Sequence, residues 1–248
     1  RSSSMMMQAL CAEVDKLHRA PIWIAYVTLP FIAAVIGTFN YQQNLGQLTP
    51  GWENLWTQHT LFEFYFFLPA LVGAGCSWLM GLEHAGSNWN QLLTSPVGPW
   101  RIIAAKLVVG TVMLGVALAA TGALFVACGK AVGLAALPSC DYIAYLLLAW
   151  IGGIAMVAVQ LLVSLVVRSF AAPVGIALVG SISGLLLSSK GWGLWWPWAL
   201  MSLASNANGR GTLMSAELVQ FVGIVALFSI AASVLCALIM SHAAAISK

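Results

Sequence analysis

Glu63 is the one acid set well inside an apolar run, Leu61-Phe62-Glu63-Phe64-Tyr65-Phe66-Phe67-Leu68. A charged group at membrane depth costs at least ~2.5 kcal/mol, so an acid in such a place is a functional candidate by default. It sits beside His59 and Thr60 near the outer end of its run, which suits a carboxylate that reaches the interface or pairs locally. The other reactive residue types are not grouped for chemistry. His18, His59, His84 and His242 fall in separate segments with no HExxH, so the spacing offers no metal centre. The cysteines (Cys11, Cys76, Cys128, Cys140, Cys236) form no CxxC; Cys128 and Cys140 flank one short loop and are either bonded or simply buried thiols. Gly129-Lys130 is followed by Ala131 and lacks the preceding glycine of a phosphate-cradling loop. Gly180-Ser181-Ile182-Ser183-Gly184 frames Ile182 where a hydrolase would need its serine, and reads instead as a GxxxG contact for another helix.

Two further stretches stand out. Glu83 to Arg101 is the longest polar stretch among the apolar segments, and its part Glu83 to Val97 suits a short helix. Ser87 can cap that helix, Trp89, Leu92 and Leu93 give it an apolar edge, and Pro96 ends it. A surface helix with an exposed tryptophan is either an interface anchor or a docking element for a soluble partner. The second stretch, Gly191-Trp192-Gly193-Leu194-Trp195-Trp196-Pro197-Trp198, suits an aromatic belt at a membrane surface.

The elements that must position these residues are membrane helices. The chain of 248 residues is 61% hydrophobic and 7% charged, against roughly 25% charged in soluble domains. At about 20 residues per crossing it has room for roughly six spans. They read as Ile22 to Phe39, Leu61 to Leu82, Ile102 to Cys128, Tyr142 to Val167, Val174 to Ser188 and Leu218 to Met240. Asn40 to Thr60 reads as a polar outer loop with Trp52 and Trp56 in the interface belt. Trp195 to Ala204 is too short to cross and carries Pro197, so it reads as a re-entrant or surface segment. Met5 to Ala20 mixes Met6, Leu10, Val14 and Leu17 with charges and suits a helix lying in the interface, or a polar extension of the first span. Arg1 to Ser4 reads as residues ahead of a native start at Met5, and no cleavable signal peptide is expected.

Charge sets the expected orientation. Lys16, Arg19, Arg101, Lys106, Arg168 and Lys248 fall on one side and Lys130, Lys190 and Arg210 on the other, which puts both termini in the cytoplasm. The net charge of +3 is dispersed, so nucleic acid is not an expected partner.

The stretch Glu83, Gly86, Trp89, Leu92, Leu93, Ser95, Pro96, Val97 and Arg101 resembles the segment between spans two and three of type-2 ABC exporter permeases. Leu61 to Ala70, with Glu83-His84 and Asn88-Trp89-Asn90, is similar to the lantibiotic immunity branch of that family. The resemblance covers the first half of the chain by motif and the rest by layout. It implies an all-α membrane protein, residues 1–248 forming one permease domain with six transmembrane helices and a re-entrant segment before span six, to which the residues add the N-terminal interfacial helix. It implies that Glu83, His84, Gly86, Trp89, Leu92, Leu93 and Pro96 belong to a cytoplasmic coupling helix. The implied partners are two ABC ATPase subunits, which would carry ATP and magnesium, and a second permease, identical or related. No cofactor is expected on this chain. Only Glu83 and His84 precede Arg101, so Trp89 and the leucines are the expected contact.

The expected cargo is an amphipathic peptide or lipid-like molecule, because no cluster of midplane charges is visible that could replace the hydration shell of a polar solute. Trp192, Trp195, Trp196 and Trp198 then stand where such a cargo would leave, or serve only as belt anchors. The branch resemblance implies a cationic antimicrobial peptide and a bacterial cytoplasmic membrane. An ion-coupled secondary transporter is the alternative; it would be expected to show broken spans in matched halves, which the sequence lacks.

Overall fold

The computed structural model describes residues 2–18, 20–84, 97–209, 213 and 215–246. Among them the regular structure is helical throughout: α1 (Ser2–His18), α2 (Ile22–Gln43), α3 (Trp52–Phe62), α4 (Leu68–His84), α5 (Pro99–Ala131), α6 (Asp141–Val166), α7 (Ala171–Ser189), α8 (Leu200–Ala204) and α9 (Ser215–Ile246). Among the described residues six stretches are long and apolar enough to cross a membrane, Trp52–Gly81 forming the second through α3 and α4 together. The chain is a multi-pass membrane protein. Because consecutive spans alternate in direction, α1 and the end of α9 lie at the same end of the bundle.

The spans fall where long apolar runs require them, since a helix satisfies its own backbone groups in hydrocarbon. The second differs from expectation. It starts at Trp52, not Leu61, because the polar residues of Trp52–Thr60 find partners within the protein. His59 Nε2 lies 2.8 Å from Thr38 Oγ1, Thr60 donates to Trp56 O at 2.7 Å, and Trp56 Nε1 donates to Ser205 O at 3.0 Å. Trp56 is therefore no belt residue. It is 1% exposed and packs edge-to-face with Phe125 and tilted against Tyr142.

Between α3 and α4 the helix widens into a π turn, Glu63–Phe67, with the Leu68 amide donating to Glu63 O. Pro69 explains the widening: it cannot donate to Tyr65 O, and its ring would crowd that carbonyl in an unbroken α-helix.

α6 is the central element, packed against α4, α5, α8 and α9. The outer faces of α2, α7 and α9 carry exposed apolar side chains such as Phe31, Val179 and Ile230, as lipid-facing or subunit-facing helices do. All five cysteines are free, Cys128 and Cys140 included.

Candidate functional site

At the α1 end of the bundle four charged side chains meet. Glu13 and Lys16 stand three residues apart on one face of α1, Glu83 lies in the last turn of α4, and Lys106 lies near the start of α5. Lys106 is fully buried. Its ammonium donates to Leu79 O at 2.7 Å, to Glu83 Oε1 at 2.9 Å, and to both oxygens of Glu13 at 3.1 Å. Lys16 donates to Glu13 Oε1 and Glu83 Oε1, each at 2.8 Å. A buried charge is tolerated only when paired and hydrogen-bonded, and this cluster of two cations and two anions is neutral.

The electrostatics follow from the contacts. Burial raises the Glu83 carboxyl, but the attraction of Lys106 and the hydrogen bonds from both lysines outweigh it, so Glu83 titrates below the ordinary range. Burial likewise lowers the Lys16 ammonium, yet the hydrogen bonds to Glu13 and Glu83 prevail and hold it above the ordinary lysine range. Both shifts favour the charged forms of Glu83 and Lys16.

This clasp revises one expectation and bears on another. Glu83 and His84 end the second span's helix and are not part of a separate one. Glu83 is 4% exposed and faces the bundle, so it is a tether and not a surface for a partner; His84 Nε2 lies 3.3 Å from Ser164 O. Gly86, Trp89, Leu92, Leu93 and Pro96 lie outside the described residues. The α1 helix, expected in the interface, is docked on α5, with Glu13 and Leu17 turned inward and Val14 exposed. Sequence reasoning missed Lys106 as a site residue. The available signal was a cation inside an apolar run, which demands an anion.

The tryptophan-rich segment descends from the far end of α7. Leu200 reaches the middle of α6, where a side-chain carbon on Gly152 would lie 2.7 Å from Leu200 O. The GxxxG pair is used, but its partner is this segment and not a helix. A side-chain carbon on Gly180 would meet the Trp198 ring at 2.6 Å, and one on Gly184 would lie 3.0 Å from Ala199 Cβ. Trp196 Nε1 donates to Gly180 O at 2.7 Å. In the amide orientation that satisfies both its ends, buried Gln160 accepts from Trp198 Nε1 at 2.8 Å. The four tryptophans expected to act together thus divide: Trp196 and Trp198 pack inward, while Trp192 and Trp195 are 63% and 54% exposed.

Glu63 is 1% exposed and does not reach the interface. With the helix starting at Trp52, it lies about 16 Å along the axis from that end. Its partner is Thr121 of α5 and not its sequence neighbours His59 and Thr60. Among the described residues no three His, Cys, Asp or Glu side chains are grouped to hold a metal ion.

Residues 9–184, from within α1 into α7, match the family model described as ABC-2 family transporter protein. No curated relative matches the chain.

Proposed function

The chain belongs to the ABC-2 transporter family and is an ABC permease subunit, and from that premise we propose that it exports an amphipathic cargo, a cationic antimicrobial peptide or a lipid-like compound, out of the membrane. Two ATPase subunits, carrying ATP and magnesium, dock from the cytoplasm on residues 85–96, with Trp89, Leu92 and Leu93 as the contact. A second permease, identical or related, covers part of the apolar outer surface. Both termini lie in the cytoplasm of a bacterial cell, the side that Lys16, Arg101, Lys106 and Arg168 favour.

One observation carries the coupling part of this reading: the clasp ties together the two helices that flank residues 85–96. Glu83 lies two residues before the segment and Lys106 ten residues after it, in the second turn of α5, and they are 2.9 Å apart through Nζ and Oε1. A partner that pushes on the segment therefore moves α1, α4 and α5 together, since a buried ion pair resists separation. The cargo reading rests on the interior and the rim. Among the described residues the membrane-depth polar groups are few and mostly hydroxyl or amide, such as Thr121, Ser181 and Gln160, and Trp192 and Trp195 present amphipathic rings at the opposite end.

Susceptibility of cells to a panel of membrane-active peptides, with and without this chain and its ATPase, tests the cargo. Protection against at least one cationic amphipathic peptide is expected. No protection, together with a lowered level of a hydrophilic solute, contradicts it.

A further inference from the structure

Beyond Gly73 the helices α4 and α7 part. A side-chain carbon on Gly73 would lie 2.9 Å from Val174 Cα, whereas one on Gly81, about two turns further along the same face, would meet nothing within 4 Å. Ser77 bridges the widening gap: its hydroxyl donates to Phe170 O at 3.1 Å and pins the connection between α6 and α7 onto α4. The space left beyond that bond is a cavity of about 360 Å³, walled by Trp78, Gly81 and His84 of α4, Ser164 near the end of α6, and Arg168 and Ser169 of the connection.

These walls carry donors and no carboxylate. Arg168 is exposed and has no ion-pair partner among the described residues. Ser169 Oγ accepts from Ala172 N at 3.4 Å, which leaves its own proton to donate. Ser164 is 2% exposed and its Oγ has no hydrogen-bond partner. A serine hydroxyl in a helix commonly returns to the carbonyl one turn back. Here it does not, and an unmade donor is costly to bury, so this hydroxyl calls for an acceptor from outside the chain. His84 Nε2, 3.3 Å from Ser164 O, joins α4 to the end of α6 beside it.

The local field is positive. The first turn of α7, which follows Phe170, contains no acid, and its amides add to the charge of Arg168. Glu83 is turned to Lys16 and Lys106, and residues 85–96 contain no acidic side chain. A guanidinium fork matches two oxygens of a phosphate group, with hydroxyls to satisfy the others.

The rim is apolar. Gly81 ends the second span and Val166 the fourth, so the cavity lies where these helices leave the membrane. Trp78 is half-buried there, and Phe170 is exposed. Basic pockets between spans at that level suit lipid headgroups.

We propose that this cavity is a phosphate site, with Arg168 as the charge partner and Ser164 and Ser169 as hydroxyl donors. An anionic phospholipid headgroup and soluble phosphate present the same oxygens, and the apolar rim favours the lipid. Once bound, the phosphate ties α4 to the α6–α7 connection across the gap beyond Ser77. The site is independent of the cargo reading; only its assignment to the cytoplasmic leaflet rests on the orientation proposed above.

The full chain in a nonionic detergent is titrated with short-chain phosphatidic acid, with the matching phosphatidylcholine and with inorganic phosphate. The melting midpoint is the readout, since a ligand of the folded state raises it. Phosphatidic acid should stabilise the wild type at lower concentration than phosphatidylcholine does. Arg168→Gln, at an exposed position, should weaken that response on the order of tenfold, the loss of one charge-assisted contact. Gly81→Leu keeps every donor but fills the open space, and should weaken it at least as much. Ser164→Ala should also weaken it without lowering the ligand-free midpoint, because the hydroxyl removed has no partner in the chain. If inorganic phosphate reproduces the phosphatidic acid response, variants included, the phosphate site stands and its ligand is soluble. Equal responses to phosphatidic acid and phosphatidylcholine, or a phosphatidic acid response unchanged in either Arg168→Gln or Gly81→Leu, overturn the proposal.

Discussion

Lys106 Nζ on α5 lies 2.9 Å from Glu83 Oε1 on α4, and the same ammonium contacts both oxygens of Glu13 on α1 at 3.1 Å. A single buried cation thus joins three helices at the end of α4 that precedes residues 85–96.

Lys106→Met leaves two buried carboxylates with only the half-exposed Lys16 between them. The expected loss is about 3–5 kcal/mol of unfolding free energy, the usual result of removing one partner from a buried pair. Lys106→Met combined with Glu13→Gln should recover a substantial part of it, because the remaining Lys16–Glu83 pair is neutral. Thermal unfolding in mild detergent measures both; equal losses in the single and double variants would refute the clasp.

The clasp also sets a pH window. Glu83 is lowered from 4.5 in the folded protein, so its contribution is complete above 4.5 and is lost as pH falls through its folded value. Lys16 is raised from 10.5, so its contribution is complete below 10.5 and is lost as pH rises through its folded value. The stability difference between wild type and Glu83→Gln should be flat between those limits and shrink in acid. Melting temperature against pH checks it, and a difference that grows in acid would contradict the sign.

The six spans were legible because an apolar run of membrane length has few alternatives to a helix. The start of the second was not, since Thr38, His59, Trp56 and Ser205 satisfy one another only once the fold brings them together. The clasp was hidden for the same reason: Glu13 and Lys106 are 93 residues apart in sequence. Its absence from the sequence reading made Glu83 look like a docking charge. Reversing that charge would set three cations against one carboxylate and unfold the corner, so Trp89, outside the described residues, is the cleaner probe of docking. Gly180 and Gly184 signalled a close approach correctly, but their spacing could not name Trp198 and Ala199 as what approaches.

The division of the tryptophans separates folding from cargo contact. Trp198→Ala should cost about 3 kcal/mol and lower the amount of inserted protein, as expected of a packed tryptophan. Trp195→Ala, at an exposed position, should change stability by less than about 0.5 kcal/mol while reducing peptide protection. Melting temperature and membrane abundance, read beside peptide sensitivity, distinguish them; loss of folded Trp195→Ala protein would remove its assignment to the exit.

Orientation is open to direct labelling. In a cysteine-free background, Gln47→Cys should react with an impermeant thiol reagent in intact cells and Ser169→Cys only after permeabilisation. Both positions are exposed. The reverse pattern would invert the bundle.

A separate ATPase docked on residues 85–96 is proposed to drive this permease. The most direct measurement is peptide-stimulated ATP hydrolysis by the complex purified through this chain, wild type against Trp89→Ala. A P-loop subunit should copurify with the wild-type chain and its hydrolysis should rise with cationic amphipathic peptide, whereas Trp89→Ala should abolish the rise while the chain stays folded. No copurifying ATPase, or export that survives ATP depletion and stops when the ion gradient is dissipated, would contradict the account.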